Sequence, residues 1–424
     1  MLRAAQFRQL QGLLQHAAAT VPFYGKRLAE NGINVDAPLD EEMWSRIPLL
    51  TRRDVQSAGD ALLSSAVPMS HGRGDTITTS GSTGTPVTVQ TTQTSQFFLR
   101  CFTLRSSIWH RFDVKRKFTA IRHNNGPGGE YPNGIEMRSW GGPFDALFVT
   151  GPSALLSIMT PVPQQIEWLQ RQKPDYFLTY PSNLAALLAY CRENGIRFPK
   201  LRAVATMGEI LSPYVRRACR EIWGVKVLDM YTCQEVGYLA LQCPEHEHHH
   251  VQSENILLEV LDENDQPCAP GETGRVVITA LHNFATPLIR YANGDYAVVG
   301  EACPCGRGLP VLKRILGRMR NMMTLPTGEQ LWPYFGSDKL RAAAPLRQFQ
   351  LVQKSLTELE VHLVVERPFT SEDEGRVRSV ITGEIGDVFN IVFIYHETIP
   401  RGPGGKYEDF RSEIAHRRAR RPPD

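Results

Sequence analysis

The sequence predicts an α/β protein, with a large N-terminal α/β domain of mixed sheets and a small α+β domain behind it. Three observations carry that expectation. From about residue 160 strand-like and helix-like segments alternate, which implies parallel pairing. Beyond residue 255 strand-like runs follow one another without helices, which implies antiparallel pairing. A chain of 424 residues also exceeds what one hydrophobic core usually supports.

Phe7, Leu10, Leu14 and Ala17 share one face of a first helix, which breaks at Val21-Pro22-Phe23-Tyr24. Pro48-Leu49-Leu50-Thr51-Arg52-Arg53-Asp54 reads as a capped helix start. A helix through Ile166 and Leu169 ends before Lys173-Pro174, and residues 176–180 read as a strand. Ser182 is expected to cap the next helix, which carries Leu184, Leu187, Leu188 and Cys191 and stops at Gly195. Residues 201–206 read as a strand, Ser212-Pro213 opens a helix that closes at Trp223-Gly224, and residues 225–230 return as a strand. Residues 256–261, 275–280 and 287–291 then suggest a smaller, mostly antiparallel sheet. Strands at 347–353, 358–366 and 391–395, with a helix over 372–389, give the end of the chain its α+β character.

Composition excludes several classes. The net charge of +3 is too small to point to a polyanionic partner, and the one dense basic run, Arg417 to Arg421, lies beside Pro422 and Pro423 as a solvated tail. Nucleic acid is therefore not an expected partner. Nowhere do eighteen apolar residues run together, so no membrane span is expected and a cytoplasmic location is. Whether the chain pairs as a homodimer stays open.

Residues 78 to 86, Thr-Thr-Ser-Gly-Ser-Thr-Gly-Thr-Pro, contain no apolar side chain and sit between segments that do. Gly81 and Gly84 let backbone N–H groups turn towards an anion, and Thr79, Ser80, Ser82 and Thr83 add hydroxyl donors. A plain Ser/Thr/Gly linker has the same composition. The spacing and lysine of the Walker pattern are absent. Eight irregularly spaced cysteines do not form a secreted disulfide framework. Three of them cluster with histidines: Cys243 precedes His246, His248, His249 and His250, and Cys303 and Cys305 follow in a tight C-x-C-G turn. Three thiolates and an imidazole from two separate hairpins suit a closed, tetrahedral, structural Zn²⁺ site, against the alternative of a polar loop and unrelated cysteines.

Thr79-Ser80-Gly81-Ser82-Thr83-Gly84-Thr85-Pro86 resembles the phosphate loop of adenylate-forming enzymes, the acyl-CoA synthetase superfamily, with Thr85 where lysine is common. Further markers of that superfamily follow in the same order. Tyr231-Thr232-Cys233-Gln234-Glu235 is similar to its Y-G-x-T-E segment, with Thr232 for the glycine and Gln234 for the threonine. Gly208-Glu209 falls where the family contacts adenine, and Tyr291-Ala292-Asn293-Gly294-Asp295 matches Y-x-x-G-D. Gly317-Arg318 resembles the hinge, although Arg320-Asn321 stand where acids are usual. Pro400-Arg401-Gly402-Pro403-Gly404-Gly405-Lys406 resembles the segment carrying the adenylation lysine. The P-F-Y and P-x-x-T-[KR]-x-D segments near the start and the Cys/His pattern narrow the resemblance to phenylacetate-CoA ligases and their capsule-biosynthesis relatives, over residues 15 to 410.

That resemblance implies an adenylate-forming enzyme fold with residues 1–316 as the nucleotide- and acid-binding domain, 317–320 as the hinge and 321–424 as a mobile C-terminal domain. It implies an AMP-forming ligase that activates a carboxylic acid, of an aryl or arylacetic kind, with ATP to an acyl-adenylate and transfers the acyl group to CoA. An amine or a carrier protein is the alternative acceptor. The loop from Thr79 to Gly84 would hold the phosphates, Glu235 the Mg²⁺, Asp295 and Arg318 the ribose, with Gly208, Glu209, Tyr231, Thr232 and Gln234 as further nucleotide neighbours and Lys406 as the catalytic cation. Cys243, His250, Cys303 and Cys305 would be the zinc ligands, with His246 and His248 competing for the histidine position. Trp140, Phe144 and Tyr180 are candidate walls of the acid pocket.

Overall fold

Helix α1 (Leu2–Thr20) buries Leu10, Leu13, Leu14 and Ala17, the face its spacing predicts, and Pro22 then opens α2 (Pro22–Glu30). In the computed structural model, which describes residues 2–79, 86–124, 126–333, 337–402 and 405–414, these helices and α3 (Glu41–Arg46) pack on the antiparallel end of the main sheet. A short strand β1 (Leu50–Thr51) leads into α4 (Arg52–Ala58). A capping box closes its first turn: Thr51 Oγ1 accepts from the Asp54 N–H, and the Asp54 carboxylate accepts from the Thr51 N–H. Strands β2 (Arg73–Thr78) and β3 (Thr88–Thr92) pair antiparallel, and α5 (Gln93–Trp109) follows.

The parallel half is built from β4 (Phe118–Arg122), β5 (Ile135–Met137), β6 (Ser153–Ser157), α6 (Val162–Gln172), β7 (Tyr176–Thr179), α7 (Pro181–Glu193), β8 (Ala203–Met207), α8 (Pro213–Trp223) and β9 (Lys226–Cys233). Strands β6, β4, β7, β8 and β9 pair in parallel in that order. Trp168, Leu184, Leu187, Val215 and Trp223 from the three helices form one core with Phe177 and Val204 from the sheet.

The remaining strands are β10 (Gly237–Gln242), β11 (His249–Val251), β12 (Ile256–Leu261), β13 (Thr273–Ala280), β14 (Tyr291–Val299) and β15 (Val311–Arg318). They do not form the separate smaller sheet expected. Strand β10 pairs antiparallel with both β9 and β11, and β11 pairs with β15, so one sheet runs β12-β13-β14-β15-β11-β10-β9-β8-β7-β4-β6-β5, with β1 parallel to β14.

Three smaller expectations also change. Residues 287–290 are not a strand: the Tyr24 hydroxyl donates to the Pro287 carbonyl and accepts from the Ile289 N–H, replacing a ladder partner, and Arg290 turns with φ +48° before β14 starts. Ser182 does not cap α7, whose N-cap is Tyr180 without a side-chain bond; the Ser182 side chain turns to Glu209 instead. The last long helix stops at Ile385, where Gly386 closes it, short of the predicted 389.

After β15 a short 3-10 turn over Met319–Asn321 leads through the hairpin β16 (Met323–Thr324) and β17 (Gln330–Leu331) to α9 (Ser337–Ala343), β18 (Leu346–Gln353), β19 (Glu358–Val365), α10 (Ser371–Ile385), β20 (Asn390–Tyr395) and β21 (Phe410–Ser412). The second sheet runs β20-β19-β18-β21, and Leu351, Val361, Leu363, Val377 and Ile381 give it a core of its own. No described helix is long and apolar enough to cross a membrane.

Candidate active site

The predicted nucleotide residues converge at the carboxyl ends of β7, β8 and β9 and on the neighbouring pair β14 and β15, where open α/β sheets bind ligands. Glu235 lies in the turn after β9, with only 8% of its surface exposed. Its Oε1 is 3.4 Å from Arg52 Nη1 and 3.4 Å from the Tyr291 hydroxyl. The other guanidinium nitrogen of Arg52 donates to Thr79 Oγ1 at 3.1 Å, and Thr79 is fixed to Val87 through both its N–H and its hydroxyl. Gln234 ties the same stalk from the other side, donating to the Thr78 carbonyl at 2.8 Å. Ser80, Gly81, Ser82, Thr83 and Gly84 lie outside the described residues. Tyr231 and Thr232 sit inside β9, because that strand continues to Cys233.

Asp295 also lies within a strand, β14, directly across from Arg318 on β15. The Tyr231 hydroxyl donates to Asp295 Oδ2 at 2.7 Å, Asn293 Nδ2 donates to the same oxygen at 2.8 Å, and Arg318 Nε stands 3.7 Å from Oδ1. Period-two alternation places Asn293 and Asp295 on one face, so Y-x-x-G-D delivers a carboxylate together with the amide that orients it. Burial, reinforced by Asp295, pushes the Tyr231 phenol well above its usual pKa and keeps it a proton donor.

Lys406 reaches this cluster from the C-terminal lobe. A Cβ on Gly208, whose φ is +80°, would stand 3.3 Å from Lys406 Cε and 3.5 Å from its Nζ, so a glycine leaves the lysine its approach. Gly405 has φ +76°, and a Cβ there would meet Ile158 at 2.5 Å. Protein packed around the Lys406 ammonium, joined by Arg318, pushes its pKa below that of an ordinary lysine, although the residue as a whole stays solvent-exposed; Glu209, Asp295 and Glu235 pull the other way. Arg320 pairs with Glu408 at 2.5 Å and Asn321 donates to the Phe410 carbonyl at 2.8 Å. The two residues that replace the usual hinge acids thus hold the lysine-bearing loop.

Glu209 is engaged by protein donors on both oxygens: Oε2 accepts from the Ser182 N–H, and Oε1 from the Ser182 hydroxyl and the Tyr407 N–H. Tyr180 adjoins Gly208, but Trp140 and Phe144 are not in the site. They pack with Phe112, Phe118 and Tyr176 at the amino ends of the strands, and the Trp140 indole donates to the Arg116 carbonyl. Arg52, Tyr291 and Asn293 are the site residues that the sequence reading passed over. Arg52 lies in Pro48-to-Asp54, which reads as a helix start and as a marker of the resemblance but assigns the arginine no role.

The Cys/His cluster forms between the β10–β11 and β14–β15 connections, away from the nucleotide residues. Donor atoms of Cys243, His248, His250 and Cys303 all lie within 4.8 Å of one another, with Cys243 Sγ and Cys303 Sγ 4.0 Å apart, and Cys305 Sγ is 3.3 Å from His250 Nε2. Ligand separations around tetrahedral zinc are about 3.3–3.8 Å. The buried His248 Nε2 has no protein partner, as a metal-facing nitrogen would lack one. The donor set fits Zn²⁺, and His248 competes with Cys305 for a place in it; His246 stacks on His248 outside the set of four.

Residues 142–285 match the model of AMP-binding enzymes, and residues 338–412 match that of the CapK C-terminal domain. An AMP-binding region followed by a CapK-type C-terminal domain, on this fold, is the arrangement that the chain shares with adenylate-forming carboxylate ligases. Among curated relatives, the phenylacetate-coenzyme A ligase of Thermus thermophilus is 26% identical, over 96% of this chain and 95% of that protein. The enzyme of the same name from Pseudomonas putida is 24% identical, over 91% and 86%. Crystal structures of 2-hydroxyisobutyryl-CoA ligase share the fold at 20% identity. A structure in the postadenylation state gives a TM-score of 0.75 over 97% of this chain and 89% of that one; a structure in the thioesterification state gives 0.63 over 96% and 89%.

Proposed function

We propose that this chain condenses a carboxylic acid with ATP to an acyl-adenylate and pyrophosphate, and then transfers the acyl group to the thiol of CoA. The observation that carries the reading is the convergence of Lys406 with Glu235, Asp295 and Arg318 from four separate stretches of sequence on one point at the carboxyl ends of the parallel strands. Activation requires the carboxylate oxygen to attack the α-phosphorus of ATP, so two anions must be brought together. Lys406 supplies the cation between them, and positioning with charge neutralisation is the main catalytic demand of such a transfer. Asp295, held by Tyr231 and Asn293, accepts from the ribose hydroxyls, and Arg318 stands beside it. Arg52 fixes the stalk of the 78–86 loop relative to Glu235, which keeps β- and γ-phosphate binding in register with the metal position. Glu235, a buried carboxylate, would hold Mg²⁺, which would neutralise phosphate charge.

CoA as acceptor rests on relatives that align over nearly their whole length and are named CoA ligases. Zn²⁺ at the Cys/His cluster would tie two connections of the sheet and take no part in the chemistry. The test is a panel of carboxylic acids, including phenylacetate and short hydroxy acids, with ATP and with or without CoA, following AMP, pyrophosphate and thioester. AMP and pyrophosphate in equal amounts, with thioester only when CoA is present, is the expected result. ADP as product would overturn adenylation, and turnover with amines in place of CoA would overturn the acceptor.

A further inference from the structure

We propose that Glu209 is a positioning residue for Lys406: with Ser182 it forms the catch that holds the lysine-bearing loop against the N-terminal lobe during adenylation and must open for acyl transfer. The geometry divides cleanly. Two of the three donors to the Glu209 carboxylate, the Ser182 N–H at 2.8 Å and the Ser182 hydroxyl at 3.1 Å, belong to the N-terminal lobe and remain whatever the other lobe does. The third is the N–H of Tyr407, at 2.7 Å, and comes from the residue next to Lys406. Fixing that amide fixes the backbone from which the lysine side chain springs. Arg401 strengthens the same contact, donating to the Ser182 hydroxyl at 2.9 Å and to the Gly405 carbonyl at 3.1 Å.

On its other side the loop is fastened to its own lobe. The Tyr407 hydroxyl donates to the Phe349 carbonyl on β18 at 2.5 Å, and Glu408 pairs with Arg320. Breaking the Tyr407–Glu209 and Arg401–Ser182 contacts together therefore releases the loop along with its own lobe. Hydrogen bonds to a carboxylate are the strong kind, and losing one in this setting shifts an equilibrium by roughly 10- to 100-fold. That is enough to decide which orientation is populated without locking either.

The catch also titrates. Burial raises the Glu209 pKa, against the opposing pull of the Ser182 and Tyr407 donors and of Arg401. The charged and titratable groups around it are Arg401, Lys406 and Asp409 from the C-terminal segment and Tyr180 from the end of β7. A carboxyl with a raised pKa is ionised above that value and loses acceptor strength as pH falls through it. The catch thus weakens along an acid limb displaced upwards from that of a solvated glutamate.

The test compares the whole chain with its Glu209→Gln and Ser182→Ala variants. Hydrogen exchange at the Tyr407 amide, read without ligands, should quicken about 10-fold or more in Glu209→Gln and less in Ser182→Ala. The kinetic arm rests on the adenylation reading. There kcat/KM for acyl-adenylate formation should fall by roughly 10- to 100-fold while transfer from supplied acyl-adenylate to CoA is retained, and the acid limb of adenylation should flatten in Glu209→Gln. If the glutamine variant does not fold, the serine variant carries both arms. Unchanged exchange at Tyr407, or an equal fall in both half-reactions, overturns the catch. Absence of adenylation with any acid would instead overturn the functional reading and leave the exchange result to judge the catch alone.

Discussion

The role proposed for Lys406 requires its charge, and its surroundings make that charge expensive to keep. Its lowered pKa means that the ammonium is present below that value and lost as pH rises through it, so adenylation should fail at lower alkaline pH than an exposed lysine would dictate. Lys406→Ala should reduce acyl-adenylate formation by about 100-fold or more, while thioester formation from supplied adenylate persists. Measuring the two half-reactions separately checks this, and an equal loss in both would remove Lys406 from the adenylation step. Glu235, Asp295, Arg318 and Lys406 were legible as residues because each sits in a short ordered motif. Arg52, Tyr291, Asn293 and Ser182 were not. Arg52, Tyr291 and Ser182 meet partners 183, 56 and 27 residues away, separations that no local pattern encodes, whereas Asn293 meets Asp295 two residues on, a pairing that shows only once both are placed in one strand.

Among the elements, the amphipathic α1 and the alternation from α6 to β9 were readable because their spacing is set by burial of one face against one sheet. The single continuous sheet was not. It depends on β10, a six-residue run from Gly237 to Gln242 that joins the parallel and antiparallel halves and whose pattern alone does not distinguish a strand from any buried segment. The Cys/His cluster sits at that junction, with Cys243 next to β10, His250 on β11 and Cys303 between β14 and β15. A metal there would fasten the join. Protein purified without chelator should contain about one zinc per chain, and stripping it should lower the melting temperature by roughly 5 °C or more before adenylation fails. Elemental analysis that finds no zinc would contradict the assignment.

At the scale of the whole molecule, the two lobes meet through the loop that carries Lys406, and the chain superposes better on a relative in its postadenylation state than on that relative in its thioesterification state. The contacts made by Arg320, Asn321, Arg401 and Tyr407 explain how one arrangement is held. The resemblance implied a hinge near Arg318. It did not show that the residues replacing the usual acids reach the lysine loop, since that pairing exists only once the lobes are placed together. All of this presumes that the carboxylate is activated by attack on the α-phosphorus. The most direct measurement is the fate of oxygen from a substrate acid labelled with ¹⁸O in its carboxylate, turned over with ATP and CoA. One labelled oxygen should appear in the phosphate of AMP. Label in inorganic phosphate, with ADP as the other product, would mean attack on the terminal phosphate and would contradict the account.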